Sequence, residues 1–417
     1  MKKLSLMLIS LALLVSIGIN LVGCSTPVAA RDLMEGITPN QVNKLHDLTS
    51  GNADATDFAV KLFKTAAKGD SNTLISPLSV LYAIAMTANG ARGETREQIE
   101  ATLGMTVEEL NLYLMSYKAS LPQGSKYKLT LANSLWLTED ERFTVEKSFL
   151  QTNADYYGAD IYKSPFGDRQ TVEDINRWVS DNTDEMIPSI LDEIPPEAVM
   201  YLVNALAFEA EWESVYKKNQ VHDATFTKEN GESETVKMMY GSESIYLEDE
   251  NATGFVKYYS GKKYAFVALL PHEDISVSKY IEKLDGKTLR ALLDNAENTK
   301  VNTAIPKFET EYDTEMSELL IGLGMQNAFD PDKADFTGLG RSSDGNIFIS
   351  RVLHKTKIQV GEKGTRAGAA TVVEMNDKTS MPMETKYVYL DRPFVYMLID
   401  CENNVPFFIG VQTQIES

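Results

Sequence analysis

The first half of the chain carries apolar residues at helical spacing. In residues 54–68 they recur every three or four positions, which predicts an amphipathic helix. Residues 78–87 are apolar on nearly all sides and therefore predict a buried helix, with Ser76 placed to cap its first turn. Further helices are predicted over residues 95–103 and within residues 171–191.

The second half is dominated by short runs that predict strands. Residues 201–212 are almost continuously apolar, as in a central strand covered on both faces, and residues 346–360 predict a passage from helix to strand. The remaining runs are 129–137, 235–239, 244–246, 253–259, 264–270, 301–309, 387–390, 394–400 and 406–411. Helices early and strands late indicate an α+β fold with large sheets, in one domain over residues 53–417.

Residues 362–386 combine two conflicting patterns. As far as Met375 the side chains alternate, so that one face is small or apolar and the other carries both charges, as in a half-buried strand. The apolar face consists of Thr365, Ala367, Ala369, Thr371, Val373 and Met375. From residue 376 the stretch is polar and without period, which is typical of an exposed loop. A segment suited to a sheet interior thus continues directly into a surface loop.

The composition is that of a globular protein, because 43% of the 417 residues are hydrophobic and 24% are charged. A formal net charge of −20 argues against nucleic acid, since the phosphate backbone would be repelled. The two cysteines and four histidines have no metal-ligand spacing, so we predict no metal and no other cofactor. Nucleophile-elbow and P-loop motifs are absent too, which argues against an enzyme.

The N-terminus predicts export. Two lysines precede the apolar residues 4–22, and the segment ends in Leu-Val-Gly-Cys, which is similar to the bacterial lipoprotein processing box. We therefore expect a signal peptide over residues 1–23, lipidation of Cys24 and a tether over residues 24–52. The alternative is a plain signal anchor with an unmodified Cys24. With Cys24 lipidated, Cys401 has no disulfide partner left in the mature chain.

Several motifs at ordered spacing carry a family resemblance. The most specific is residues 388–396, VYLDRPFVY. The others are residues 72–99, Asn204 with Trp212, residues 304–308 (AIPKF), and His354-Lys355 followed by Glu362-Lys363-Gly364-Thr365. On these residues the chain resembles a serpin. The resemblance implies three β-sheets, eight or nine helices and an exposed reactive loop at about residues 362–388.

The resemblance also implies a mechanism. A serpin is a suicide substrate: the target protease is acylated at the reactive bond, and the freed segment inserts into the main sheet as a new strand. The alternation described above is what insertion needs, because large or charged side chains would impede entry into a packed core. The implied hinge and inserting segment comprise Glu362, Lys363, Gly364, Thr365, Ala367, Ala369, Ala370, Thr371 and Val373.

Family spacing from Glu362 puts the reactive bond at Lys378-Thr379, which favours a trypsin-like target protease. Met375 or Met381 would instead suit a chymotrypsin- or subtilisin-like enzyme. Two observations bear on this choice. The interval to the C-terminal motif is a few residues longer than expected, and Asp377 is an awkward neighbour for an acidic trypsin cleft.

Two further sets of residues match the family. Ser76, Ser79, Asn204 and His354 match the polar cluster at which the main sheet opens, here called the shutter cluster. From the residues alone, a helix cap, a satisfied core amide and a buried histidine would explain the same positions. Trp212 and Lys355 match residues near the point where the loop enters the sheet, although core packing alone would explain Trp212.

We therefore expect an inhibitory serpin that is monomeric and held by a lipid anchor at the outer face of a bacterial membrane. The alternative is a non-inhibitory serpin that acts as a surface binding or chaperone-like protein. Such members typically carry bulky or charged residues, or proline, in the inserting segment. From Gly364 to Val373 this chain has none of these on the inward face, which favours inhibition.

Overall fold

The computed structural model describes residues 29–42, 47–67, 71–140, 143–343, 345–365 and 385–415, and within them it has ten α-helices and three β-sheets. The helices, α1 to α10, are Leu48–Ala66, Pro77–Ala88, Gly93–Leu103, Val107–Ser120, Lys147–Tyr156, Arg169–Asn182, Val277–Lys283, Gly286–Asp294, Ser317–Leu323 and Gln326–Phe329. The strands, β1 to β18, are Arg31–Asp32, Thr73–Ile75, Tyr127–Thr138, Phe143–Val145, Asp160–Ser164, Met200–Glu211, Val221–Thr227, Ser233–Glu248, Ala252–Tyr258, Tyr264–Pro271, Glu297–Pro306, Phe308–Glu315, Gly340–Ser342, Arg351–Gly361, Gly364–Thr365, Lys386–Tyr389, Phe394–Asp400 and Val405–Gln412.

The sheet that matters for function has seven strands in the order β1-β5-β3-β6-β15-β14-β12 and is called the main sheet below. Its centre is β6, the strand predicted from continuous apolar residues. On one side β6 pairs antiparallel with β3 from Tyr127 to Leu137, and on the other it runs parallel to β14. Nearly every residue of β6 is buried, which agrees with the central position.

The second sheet has nine strands and includes β16, the strand that follows the reactive loop. Its order is β16-β11-β8-β9-β10-β17-β18-β2, and β7 pairs with β8. The third sheet is the pair β4 and β13. The expected α+β fold with three sheets is therefore confirmed, and the ten helices of the described chain include one of only four residues, α10.

Helix α2 lies behind the main sheet and is buried along its whole length, as its all-round apolar sequence predicts. Its start is set locally. Ser76 is the N-cap and its side chain accepts a hydrogen bond from the backbone N–H of Ser79, while Pro77 occupies the first turn. The helix contacts β3, β6 and β18, so it links the main sheet to the second sheet.

Some predicted elements have different bounds. Helix α1 begins at Leu48 rather than at residue 54, because Asp47 caps it by accepting from the N–H of Thr49. The strand predicted over 301–309 is two strands: β11 ends at Pro306 in the second sheet and β12 begins at Phe308 in the main sheet. The runs 235–239 and 244–246 are one strand, β8, and the helix predicted within residues 171–191 is α6, which ends at Asn182.

Part of the segment expected to be a tether is held against the domain. Arg31 and Asp32 form β1, which pairs with Lys163 and Tyr162 at the edge of the main sheet. The backbone N–H of Ala30 also donates to the Asp174 carboxylate at 2.8 Å. Among the described residues, no helix is long and apolar enough to span a bilayer. The predicted signal peptide and Cys24 lie outside the described residues.

Candidate functional site

The candidate site lies in the middle of the main sheet, at the start of the predicted reactive loop. Strand β15, which consists of Gly364–Thr365, lies between β6 and β14. Thr365 is opposite Val360 of β14 on one side and Ala210 of β6 on the other. The side chain of Thr365 is only 1% exposed. Two residues of the predicted hinge thus already form a central strand of the sheet.

Beyond Thr365, the two strands that flank β15 are not paired with each other. Strands β6 and β14 share a direct ladder only through residues 201–204 and 351–354. Between this ladder and β15, residues 205–209 and 355–359 have no β6–β14 pairing in the described structure. A strand that continued from Thr365 would enter between these residues and hydrogen-bond to both neighbours. The geometry therefore provides a place for a longer inserted strand.

The turn before β15 is held by two aromatic residues. The indole Nε1–H of Trp212 donates to the carbonyl oxygen of Gly361 at 2.9 Å. The backbone N–H of Trp212 donates to the carbonyl oxygen of Lys363 at 2.8 Å. The backbone N–H of Tyr216 donates to the carbonyl oxygen of Glu362 at 2.9 Å. Three successive carbonyl groups are therefore bound from one side, which fixes the path of the chain into the sheet.

Glu362 has one further partner at the surface. Its carboxylate accepts from the amino group of Lys307 at 2.9 Å, and both side chains are more than one-third exposed. Burial opposes ionisation of Glu362, but the bond from Lys307 lowers the pKa of this carboxyl overall. An ion pair this exposed contributes little to stability, so the buried hydrogen bonds to Trp212 and Tyr216 hold the turn more firmly.

Beneath β15, a third aromatic residue contacts the hinge side chain. The hydroxyl groups of Tyr259 and Thr365 are 2.5 Å apart. Burial raises the pKa of the Tyr259 phenol, so it remains protonated and can donate this bond. The ring of Tyr259 also stacks on that of Trp212, with centroids 4.3 Å apart. The residues that hold the turn and those that receive Thr365 therefore form one packed unit.

A buried lysine lies at the base of this aromatic unit. Lys257 is 2% exposed, and its amino group donates to Glu243 at 2.7 Å and to the carbonyl oxygen of Ser214 at 3.3 Å. The same amino group is 4.5 Å from the ring centroid of Tyr216 and 5.2 Å from that of Trp212. Burial disfavours the charged form, but Tyr216 and Glu243 raise the pKa of Lys257 overall. The cation thus supports both residues that hold the turn.

Removing only one member of this ion pair should strongly destabilise the protein. Lys257→Met leaves the Glu243 carboxylate, which is 13% exposed, without its partner, and Glu243→Leu leaves a buried cation. Each single variant should lose about 3–5 kcal/mol of unfolding free energy, measured by urea denaturation, because an unpaired buried charge is costly. The double variant should recover most of the loss. Equal, additive losses in all three variants would contradict a coupled pair.

The shutter cluster forms behind the point where β6 and β14 pair directly. The Nε2 atom of His354 accepts from the backbone N–H of Ser76 at 3.1 Å. Its other ring nitrogen, Nδ1, therefore carries the proton and donates to the Asn204 side-chain oxygen at 2.8 Å. The Ser79 hydroxyl donates to the same oxygen at 2.9 Å. All four predicted residues are brought together, and each is at most 1% exposed.

This cluster joins three elements: α2 through the serines, β6 through Asn204 and β14 through His354. His354 and Asn204 also face each other in the ladder that keeps the two strands together. The side-chain nitrogen of Asn204 has no hydrogen-bond partner, and neither does the side-chain oxygen of Asn133, which is opposite it on β3. Separating β6 from β14 would break the buried hydrogen bond between His354 and Asn204. The unpartnered atoms of Asn204 and Asn133 could then form new hydrogen bonds.

The protonation state of His354 should make stability depend on pH. Burial lowers the pKa of the ring from 6.5 to about 3. The unfolded chain binds a proton as pH falls through about 6.5, whereas the folded chain binds it only near pH 3. The stability contributed by the neutral ring is therefore complete above pH 6.5 and is lost progressively as pH falls towards 3.

The loss attributable to His354 between about pH 7.5 and about pH 5 should be roughly 2 kcal/mol of unfolding free energy. Urea denaturation of the wild type and of His354→Gln at both pH values measures it. Glutamine does not titrate, so the variant should lose about 2 kcal/mol less than the wild type over this interval. Carboxylates elsewhere in the chain contribute the same pH dependence to both proteins. An equal loss in the wild type and in the variant would therefore contradict the assignment of the extra loss to His354.

The second predicted entry residue, Lys355, lies next to the ladder, at the end of the unpaired stretch that is far from the turn before β15. Lys355 follows His354 in β14, opposite Asp313 of β12, six residues before Gly361. Its amino group pairs with Glu311 at 3.0 Å and with Asp313 at 3.6 Å. Lys355 therefore stabilises the pairing of β12 with β14 beside the shutter cluster and does not contact the turn before β15. The register of β14 explains the difference, because six residues of strand span roughly 20 Å.

The remaining predicted site residues lie outside the described residues. They are Ala367, Ala369, Ala370, Thr371 and Val373 of the inserting segment, the reactive-bond residues Lys378 and Thr379, the alternatives Met375 and Met381, and the lipidation residue Cys24.

Sequence reasoning did not find three residues of the site: Tyr216, Lys257 and Tyr259. The predicted strand over 253–259 contains two of them, but its run of apolar and aromatic residues gives no sign that they meet the hinge. A lysine inside such a run was the one available signal, because a charged residue in a central strand needs a buried partner. Tyr216 lies in an irregular segment with no pattern of its own.

Comparisons with known proteins agree on one family. A family model described as "Serpin (serine protease inhibitor)" matches residues 53–415. Leukocyte elastase inhibitor of Equus caballus is 32% identical over 362 residues, which cover 82% of this chain and 93% of that protein. The human leukocyte elastase inhibitor is 31% identical over 383 residues, covering 88% of this chain and 99% of the relative.

Solved structures give the same result. The thermophilic serpin tengpin in its native state has a TM-score of 0.88 and 48% sequence identity, covering 93% of this chain and 100% of that one. Tengpin in its latent state, at the same identity, has a TM-score of 0.80 and covers 90% of this chain and 100% of that one. The described structure is therefore more similar to the native form than to the latent form.

Proposed function

The chain belongs to the serpin family, and on that premise we propose that it inhibits serine proteases by trapping them during cleavage of the reactive loop. The protease serine attacks the carbonyl carbon of the reactive-bond residue. An ester to the enzyme forms, the peptide bond breaks, and the new amino terminus leaves with the C-terminal part of the loop. The freed segment then inserts between β6 and β14 while still esterified to the protease.

The observation that carries this proposal is strand β15. Gly364 and Thr365 already pair with β6 and β14, and the next five residues of each strand are not paired with each other. This arrangement favours inhibition over the non-inhibitory alternative. An inhibitor needs it, because insertion must start before water hydrolyses the acyl-enzyme.

The energy of insertion is large enough to disable a protease. Residues 365–378 comprise 14 residues. At roughly 1 kcal/mol per new ladder hydrogen bond, their insertion would contribute on the order of 14 kcal/mol. A protease domain is stable by roughly 5–15 kcal/mol, so pulling on its active site can distort the oxyanion hole and stop deacylation. The uninserted state is then held by a kinetic barrier.

For the reactive bond we propose Lys378-Thr379, which favours a trypsin-like protease with a carboxylate in its specificity pocket. Cleavage after Met375 or Met381 would indicate a chymotrypsin- or subtilisin-like target. The names of the mammalian relatives refer to inhibition of leukocyte elastase, which is a property of those proteins. Since no cofactor is needed for the mechanism, a protease alone should suffice.

We also propose that the protein acts outside the cell as a monomer on a lipid anchor. The Leu-Val-Gly-Cys sequence ending at Cys24 supports this location, because the thiol of such a cysteine receives the lipid. Mass spectrometry of the protein expressed in a bacterium that processes lipoproteins tests the modification. A chain that begins at a diacylated Cys24 supports the anchor, whereas an intact N-terminus or an unmodified thiol contradicts it.

Incubation with trypsin, chymotrypsin and subtilisin tests the inhibitory function. A complex that survives a denaturing gel supports trapping, and the first residue of the released C-terminal fragment locates the reactive bond. The matched control is each protease with its catalytic serine replaced by alanine, which should give no such complex. Cleavage by every active protease without a stable complex would contradict inhibition and favour the non-inhibitory alternative.

A further inference from the structure

A small cavity lies at the edge of the main sheet, away from the hinge. Its volume is about 110 Å³, and it is enclosed by α2, α4, β3 and the segment that leads into β5. The tyrosines on its walls have their hydroxyl groups in use: Tyr82 donates to the carbonyl oxygen of Leu114 and Tyr157 to the side-chain oxygen of Asn111. The walls also carry the polar side chains of Lys118, Asp160 and Asn133.

The cavity exists because β5 is shorter than its neighbour. Strand β5 begins at Asp160, which pairs with Ser134 of β3. Residues 131–133 of β3 line the cavity and pair with β6 on their other side, but no described strand pairs with their β5-facing edge. The cavity thus borders an open stretch of strand edge, where backbone donors and acceptors are available.

Two opposite charges line this cavity without meeting. The amino group of Lys118 donates to the carbonyl oxygen of Tyr157 at 3.1 Å, and the Asp160 carboxylate accepts from the indole nitrogen of Trp178 at 2.8 Å. No ion pair joins the two charges in the described part of the chain. Burial lowers the pKa of Lys118 and raises that of Asp160, and the attraction between the two charges offsets only part of this desolvation.

The third group is an unpartnered acceptor. The side-chain oxygen of Asn133 is buried, lines the same cavity and has no hydrogen-bond partner. A buried acceptor left without a donor is unfavourable, so a donor brought in by a ligand would gain the full bond. The walls therefore present a cation at one place and, elsewhere, a carboxylate and an amide oxygen that both accept hydrogen bonds.

From this arrangement we infer a binding site for a small zwitterion, namely an α-amino acid of the size of glycine or alanine. The ligand carboxylate binds the Lys118 amino group, and the ligand ammonium donates to Asp160 and to the Asn133 oxygen. The cavity, at about 110 Å³, is small, which favours glycine or alanine over amino acids with larger side chains.

Occupancy of this site would favour the closed main sheet. Asn133 is directly opposite Asn204, the β6 member of the shutter cluster, so the ligand would fix β3 beside the strands that part on insertion. This consequence rests on the proposed function, whereas binding itself does not. A bound amino acid should therefore slow hydrogen exchange of the β3 and β6 amides around these two residues.

Calorimetric titration of the full chain with glycine and L-alanine tests binding without any protease. The dissociation constant should be roughly 0.1–1 mM, as for a ligand of so few atoms. Acetate and methylamine each carry half of the charge pattern and should bind at least about tenfold more weakly, and L-leucine should not bind measurably. Tight binding of leucine or of acetate alone would overturn the zwitterion assignment.

Variants locate the site. Lys118→Met and Asp160→Asn should each weaken glycine binding by about tenfold or more, whereas Lys147→Met, on the exposed surface of α5, should leave it unchanged. Near-ultraviolet circular dichroism checks that each variant is folded, and the comparison of glycine with acetate on the wild type needs no variant. No binding of glycine or alanine, or equal binding by all variants, would overturn the inference while leaving the protease assay untouched.

Discussion

Replacing Thr365 by arginine should convert the protein from an inhibitor into a substrate. The side chain of Thr365 is almost completely buried between β6 and β14 and contacts the hydroxyl group of Tyr259. An arginine there would have to bury a charge with no partner, or else keep the hinge out of the sheet. A rise of about 3 kcal/mol in the insertion barrier slows insertion roughly 100-fold, so that deacylation is faster than trapping.

The measurement is the stoichiometry of inhibition against whichever protease forms the stable complex. For Thr365→Arg the stoichiometry of inhibition should rise from near one to well above ten inhibitors per protease, because slower insertion lets most acyl-enzymes deacylate. Thr365→Ser is the matched control, because it retains the hydroxyl group that meets Tyr259 and should still inhibit. Unchanged trapping by the arginine variant would show that position 365 does not enter the sheet during inhibition.

Gly364→Ala should also abolish most trapping, for a reason of backbone geometry. Gly364 has a φ of +152° and packs so closely on β6 that a Cβ atom would lie 1.9 Å from the carbonyl oxygen of Ala210. Even alanine would therefore push β15 away from β6, at a cost of about 2–4 kcal/mol. The expected results are a lower melting temperature and a stoichiometry of inhibition raised by at least about tenfold.

The nearby Gly361 supplies a matched control. A Cβ atom built there would have no heavy atom within 4 Å, so Gly361→Ala should change stability by less than about 0.5 kcal/mol and leave inhibition intact. Thermal unfolding and the same inhibition assay distinguish the two variants. If both behave as the wild type, the close contact of β15 with β6 does not exist in solution.

Sequence patterns were sufficient to predict the burial of single helices and strands. The all-round apolar run of α2 and the continuous apolar run of β6 predicted a buried helix and a central strand, and both are found. The alternation after Gly364 predicted a buried Thr365, and this residue is buried. In each case the spacing of apolar residues shows which faces of the element are buried. The prediction therefore needs no knowledge of the elements that pack against it.

Sequence patterns were insufficient where the site is assembled across sheets. Tyr259 meets Thr365 from a position 106 residues away in the chain, and Lys257 meets Glu243 through the register of β8 and β9. Lys355, which the family resemblance places near the loop's point of entry, lies opposite Asp313 in the register of β14 and away from the turn before β15. Contacts of this kind depend on register and long-range topology, which leave no local period.

The measurement that tests the central claim most directly is the melting temperature before and after the reactive loop is cut. A protease that cleaves the loop without being trapped produces the nicked protein, and calorimetry compares it with the intact one. If the cut segment inserts between the unpaired residues of β6 and β14, the melting temperature should rise by about 20 °C or more. An unchanged or lower melting temperature would contradict insertion, and with it the proposed means of inhibition.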